Sequence, residues 1–271
     1  MNSFPMTTIG GIEVSRMVCG SNPFFGYSHF SHARDAWLKK YFTVDRITEV
    51  LHACAEEGIN AVVSGMEERL FQAIEKLRDA TGLPMHWVCT PGGMELRECL
   101  EGVRWCADHR VAICMPHPSY TDNNLLIADT KIRGAEEITA LIREKGMVPG
   151  FSTHRPETVT VGDRAGYDIE TYIQPYNPIG FLCAVETDWA CRIINGTPKP
   201  VICIKPLAAG RVLPPTGLSF VYNSAKPIDT VACGFMSPEE AKEDIHIARQ
   251  ILAGLEVDVE LTSSRSKMAM R

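Results

Sequence analysis

The sequence predicts a single α/β barrel of eight parallel strands, and three observations carry that expectation. Eight short apolar runs recur along the chain, longer amphipathic stretches separate them, and no Gly/Ser linker or shift of composition divides the 271 residues. Short strands alternating with helical crossovers build a parallel sheet. At about 250 residues, one (β/α)8 TIM barrel is an ordinary size for such a domain. Residues 1–271 are therefore taken as one domain.

The runs are Met17–Gly20, Ala61–Ser64, His86–Thr90, Val111–Met115, Val148–Ser152, Thr171–Gln174, Val201–Ile204 and Thr230–Gly234. Between the first two, Val44–Glu57 reads as a helix with Ile47, Val50, Leu51 and Cys54 on one face, stopped by Gly58. Similar spacing marks Glu67–Ala80, Met94–Asp108 and Gly134–Lys145. Ser237-Pro238-Glu239-Glu240 supplies an N-cap, a proline at the first helical position and early acids for a helix running to Leu252. Two stretches read as irregular, 21–43 and Arg211–Thr216, and both follow the C-terminal end of a strand. That is the face where such barrels build their sites.

Composition narrows the function classes. A net charge of −6 gives no basic footprint for nucleic acid. No apolar run reaches 18 residues, so no membrane span is expected, and the N-terminal residues lack the pattern of a secretory leader. A cytoplasmic protein acting on a small molecule is the expectation, with the oligomeric state left open. Ten cysteines in 271 residues are too sparse for a disulfide scaffold. Several lie inside apolar runs and are expected to pack as reduced, buried side chains.

Seven segments, in order along nearly the whole chain, resemble the aldo-keto reductase family. They are Ile12-Glu13-Val14-Ser15-Arg16 with Cys19-Gly20, Glu57-Gly58-Ile59-Asn60, Met115-Pro116-His117-Pro118, Gly150-Phe151-Ser152-Thr153-His154, Pro175-Tyr176-Asn177-Pro178, Lys205-Pro206-Leu207-Ala208-Ala209-Gly210, and Gly234-Phe235-Met236-Ser237-Pro238-Glu239-Glu240. The resemblance implies hydride transfer from a nicotinamide cofactor, with a Tyr as acid supported by Lys, Asp and His. Only the His is in place, as His117. The Asp position holds Val63, the Tyr position Glu68, and the Lys position falls at Thr90. The strand-six Gln position holds Ile173, and alternation turns the neighbouring Gln174 to the other face. Ile204 stands for the stacking aromatic and Glu240 for the phosphate-gripping Arg.

The candidate residues follow from these positions. His117, Glu68 and Lys205 are candidates for the chemistry: an imidazole at the rim, an acid or base, and an amine suited to imine formation. Each has a structural alternative: a backbone-bonded histidine, a solvated first-turn helix acid, a Lys-Pro pair without reactivity. His117 and His154 are candidate metal ligands, with Glu68 as a third. Asn22, Tyr27 and His29 on the long rim loop, with Tyr176 and Asn177, are candidate substrate contacts. Phe24, Phe25 and Phe30 alternatively pin that loop as a structural lid. By resemblance, Ser152, Thr153, Leu207, Gly234 and Ser237 are the cofactor positions, for NAD(P) if one binds. The leading expectation is acid–base chemistry (lyase, isomerase or hydrolase type) on a small carbonyl or sugar-like substrate, with a divalent metal as an option. An NAD(P)-dependent oxidoreductase with a substituted proton donor and a non-catalytic binding barrel are the alternatives.

Overall fold

The computed structural model describes residues 4–259. A β-hairpin of β1 (Met6–Ile9) and β2 (Ile12–Ser15) opens the chain. Eight parallel strands then close a barrel: β3 (Met17–Gly20), β4 (Ala61–Ser64), β5 (His86–Cys89), β6 (Ile113–Cys114), β9 (Val148–Ser152), β10 (Thr171–Pro175), β11 (Val201–Ile204) and β12 (Thr230–Gly234). Between β6 and β9 lies a small antiparallel pair, β7 (Leu125–Leu126) and β8 (Lys131–Ile132). The ring closes where β12 pairs with β3, Cys233 opposite Cys19 and Gly234 opposite Gly20.

All eight expected strands form. The fourth is shorter than its apolar run, because only Ile113 and Cys114 join the ladder. The helices are α1 (His32–Tyr41), α2 (Val44–Glu56), α3 (Glu68–Thr81), α4 (Leu96–Asp108), the one-turn α5 (Pro118–Thr121), α6 (Ala135–Glu144), α7 (Glu157–Ala165), α8 (Thr187–Gly196), α9 (Pro214–Ser224) and α10 (Pro238–Leu252). The stretch 21–43 is more ordered than its sequence suggests. A 3-10 turn at Asn22–Phe25 leads into α1, whose first turn is capped by Ser31 Oγ accepting from the Arg34 N–H at 3.2 Å. Phe24 and Phe25 are buried and anchor it, while Phe30 is exposed. Likewise only 211–213 of the second irregular stretch lies outside helix, because Pro214 and Pro215 start α9.

Two apolar layers result. Val18, Ala61, Val88, Ile113, Met115, Ile173, Ile202 and Ala232 fill the barrel interior, and Ile9 and Val14 of the hairpin join them, closing the N-terminal end. The outward side chains of the same strands, among them Phe151, Tyr172 and Cys203, pack against the helices. All ten cysteines are unpaired; eight are buried, and Cys183 and Cys191 are half-buried. Among the described residues, no helix is long and apolar enough to cross a membrane.

Candidate active site

Polar residues from the strand ends and the rim loop meet at the C-terminal mouth of the barrel. Period two turns His117 and His154 inward, whereas Lys205 is on the outward parity and has a left-handed backbone. His117 follows β6 and caps α5; its Nδ1 accepts the Ser119 backbone N–H at 3.1 Å. With Nδ1 fixed as an acceptor, the neutral ring carries its proton on Nε2. Burial and then the charge of Lys205 lower its pKa, although the ring keeps water access at the rim. His154 follows β9, held by its own N–H donating to Asp122 Oδ2 at 3.0 Å. Among the described residues its buried Nε2 has no partner, and burial, then Lys205, His117 and His29, lower its pKa to about 4.

Lys205 stands one residue past β11. Its half-buried amine lies 3.3 Å from His29 Nε2, and burial lowers its pKa to about 8. Burial and Lys205 also lower the pKa of His29. Both partners have positive φ, 63° for Lys205 and 53° for His29. Non-glycine residues there carry strain of about 1–3 kcal/mol each, and such strain concentrates at functional sites. Among the described residues no carboxylate forms an ion pair with Lys205. Three imidazoles and one amine therefore influence one another inside a single mouth.

The structure does not bring the other candidates there. Glu68 opens α3 on the helical layer, where its exposed carboxylate meets His109 Nε2 at 3.1 Å and Gln72 Nε2 at 3.3 Å. Without it, no third ligand joins His117 and His154: among the described residues, no group of three or more His, Cys, Asp or Glu side chains is arranged to hold a metal ion. The Lys205 charge, which acts on both histidines, also opposes a divalent cation. Tyr176 is wholly buried and faces the helices, its hydroxyl 2.8 Å from Ser224 Oγ of α9. Asn177 spends both ends of its amide on the Phe181 backbone, at 2.8 and 2.9 Å, and so folds the following loop. Tyr27 is 54% exposed with the Lys39 ammonium 5.9 Å from its ring centre. Asn22 is exposed in the 3-10 turn. Of the five substrate candidates, His29 is the one with a recorded contact to the cluster.

Three residues that are not among the sequence candidates complete the mouth, of which Arg211 alone lies in a stretch the sequence marks, as the first residue of the irregular run 211–216. Phe181 sits edge-on to His29 with ring centres 6.0 Å apart. The Arg211 guanidinium lies 4.4 Å from the Phe181 ring centre and donates to the His29 carbonyl at 3.2 Å. Cys183 is close enough for Lys205 to act on its thiol, whose pKa burial raises.

No family model matches the sequence, and no curated protein is significantly similar to it. Solved structures do match. A provisionally named aldo-keto reductase from Pseudomonas aeruginosa aligns over 92% of this chain and 94% of its own, with TM-score 0.64 and 18% identity. The fold is that of the aldo-keto reductases. A deep-sea metagenome aldo-keto reductase, MGS-M4, aligns over 94% of this chain and 98% of its own at TM-score 0.57 and 9% identity. A dihydrodipicolinate synthase covers 80% of this chain and 72% of its own at TM-score 0.52 and 14% identity. Such low identities speak for fold alone.

A nicotinamide dinucleotide, which the fold family implies, does not suit the residues present. Ser152 faces the interior, but the Thr153 hydroxyl faces outward, donating to Asp122 and accepting the Arg155 N–H at 2.9 Å. Leu207 packs on Gly217 of α9, and Pro23 fills the space above Gly234, 2.9 Å from where a Cβ would stand. At the start of α10 the Ser237 hydroxyl accepts the Glu240 N–H at 3.2 Å, and the Glu240 carboxylate accepts the Met236 N–H. The helix terminus that would face a phosphate is thus supplied with its own anion.

Proposed function

We propose that this barrel carries out acid–base chemistry on a small carbonyl or sugar-like substrate, moving a proton at the carbon beside the carbonyl. The observation that carries the proposal is the convergence of His117, His154, His29 and Lys205 in one mouth. Positioned imidazoles accelerate proton transfer by roughly 10²–10⁴-fold when their protonation states suit the task. His117 presents Nε2–H toward a carbonyl oxygen, polarising it and supplying a proton as negative charge develops. The exposed His29 imidazole, beside Lys205, is the base that accepts the proton from carbon, while the enclosed His154 ring stays neutral behind it. Carbonyl reduction is disfavoured, because the dinucleotide positions are filled by Pro23, Glu240 and the bonds of Thr153.

The test needs no natural substrate. In D2O, a panel of hydroxyketones, sugars and oxo acids is incubated with the protein, and deuterium uptake beside the carbonyl is followed by NMR. Uptake is expected for at least one class, falling by roughly 10²–10⁴-fold in His117→Ala while circular dichroism stays unchanged. Uptake equal in wild type and His117→Ala removes His117 from the chemistry. Reduction of the same panel with NADPH and no exchange would overturn the proposal in favour of an oxidoreductase, and neither activity in favour of a binding barrel.

A further inference from the structure

A half-buried lysine with no carboxylate beside it among the described residues is unusual at a barrel mouth, since ammonium groups are rarely enclosed unless paired. Lys205 is fixed by three features. The end of β11 sets its origin, a left-handed backbone turns its side chain, and the buried Pro206 follows it. The group beside its nitrogen is the His29 imidazole at 3.3 Å, which accepts from an ammonium or donates to a free amine according to its tautomer. His29 also links the amine to a second cation, because its carbonyl accepts from the Arg211 guanidinium at 3.2 Å. Arg211 is steadied from the other side by the Ala208 carbonyl at 3.0 Å and by the Phe181 ring. The mouth therefore sets a nucleophile at the ring of one histidine and a held, exposed guanidinium at its carbonyl.

We propose that Lys205 captures a small aldehyde or ketone as an imine, and that the substrate carries a carboxylate or phosphate group received by Arg211. This deepens the acid–base proposal above and rests on the same mouth. The neutral amine adds to the carbonyl carbon, forming the C–N bond and giving up one proton. The carbonyl oxygen takes that proton and one more from a neighbouring acid and leaves as water, so the carbon–nitrogen product is a protonated iminium. The iminium draws electrons from the adjacent C–H bond, an imidazole removes the proton, and an enamine results. Reprotonation and addition of water reverse the sequence and return the amine, with no oxidant or reductant consumed. Burial, which lowers the Lys205 pKa to about 8, supplies more free amine near neutrality than an ordinary lysine has. The substrate's negative charge offsets the cations gathered around the iminium.

The experiment is reductive trapping. The full chain is treated with sodium cyanoborohydride and, in turn, pyruvate, dihydroxyacetone phosphate and uncharged dihydroxyacetone, then analysed by intact mass and peptide mapping. One adduct per chain is expected, on Lys205, with the mass of the carbonyl compound less one oxygen. It should form at least roughly tenfold faster than on other lysines, following the excess of free amine. Pyruvate and dihydroxyacetone phosphate should both outrun dihydroxyacetone, and their ratio distinguishes a carboxylate from a phosphate substrate. Lys205→Met, which keeps a side chain of similar length at the same backbone angle, should lose the adduct, and Arg211→Gln should lose the preference for the anionic probes. Labelling spread evenly over the lysines, or persisting in Lys205→Met, overturns the proposal. Equal rates with dihydroxyacetone overturn the anionic substrate. Deuterium uptake that depends on His117 but survives Lys205→Met would leave the acid–base proposal standing and remove the imine. An adduct on Lys205 without any deuterium uptake would do the reverse.

Discussion

Two sides of the barrel mouth hold their polar groups in opposite states. At the ends of β6, β9 and β11, among the described residues, His154 Nε2 has no partner, and the Lys205 amine has only the His29 imidazole. Around β12 and α10, Gly234 lies under Pro23, Ser237 caps its own helix, and the Glu240 carboxylate takes the Met236 N–H. Polar groups left incomplete in a partly enclosed site carry a free-energy cost, whereas completed ones stabilise the fold. The first side is therefore where a ligand has something to add. On the second, a phosphate would displace bonds the protein already makes.

The incomplete side should reveal itself in the pH dependence of stability. Above pH 6.5 the His154 ring is neutral folded and unfolded and contributes nothing. As pH falls from 6.5 toward about 4, the unfolded ring binds a proton that the folded ring refuses, so stability drops; below about 4 the loss is complete. The expected loss is up to about 3 kcal/mol. Urea unfolding at pH 7 and pH 4.5 should show wild type losing more stability than His154→Gln. Parallel losses in the two proteins would mean that His154 is well solvated and that the comparison between the two sides fails.

Thr153 gives the next smaller effect. Its hydroxyl belongs to the completed set, bonded to Asp122, Thr158 and the Arg155 N–H, although the resemblance made it a cofactor position. Asp122 is itself half-buried, and burial raises its pKa while the bond from Thr153 opposes the rise. Thr153→Val should cost about 2 kcal/mol in urea unfolding, the range for stranding a buried polar partner. A neutral substitution would show that the hydroxyl is not holding the β9 turn.

These two neighbours show what was legible in the sequence. The strands declared themselves because a buried parallel strand must be apolar on both faces, and the helix starts because Ser, Thr and Pro have few other uses before an amphipathic run. The same alternation that turned Gln174 outward, opposite Ile173 in the interior cluster, also separates Thr153 from Ser152 and turns Tyr176 toward α9. Applied residue by residue, period two would have removed both from the mouth. Asn177 and Glu68 were not separable in this way, because their partners, the Phe181 backbone and His109, are set by loop and helix positions far from any repeat. Phe181, Cys183 and Arg211 reach the mouth through loops whose course no periodicity records.

The smallest effect tests the completed side directly. Glu240 is exposed, so its charge is screened and its bond to the Met236 N–H stabilises the start of α10 only slightly. Glu240→Gln should change stability by less than about 1 kcal/mol. If that carboxylate alone kept a dinucleotide out, the variant would gain NADPH binding, because its removal ends the repulsion of a 2′-phosphate. Pro23 over Gly234, the outward Thr153 and the aliphatic Ile204 remain in the variant, however, and each occupies or omits a different part of the cofactor site. Titration followed by NADPH fluorescence should therefore show no saturable binding in either protein. Saturable binding in Glu240→Gln would reduce the contrast between the two sides to one charge. Saturable binding in wild type would show that Pro23 and Glu240 yield to a phosphate, and would return the barrel to hydride chemistry.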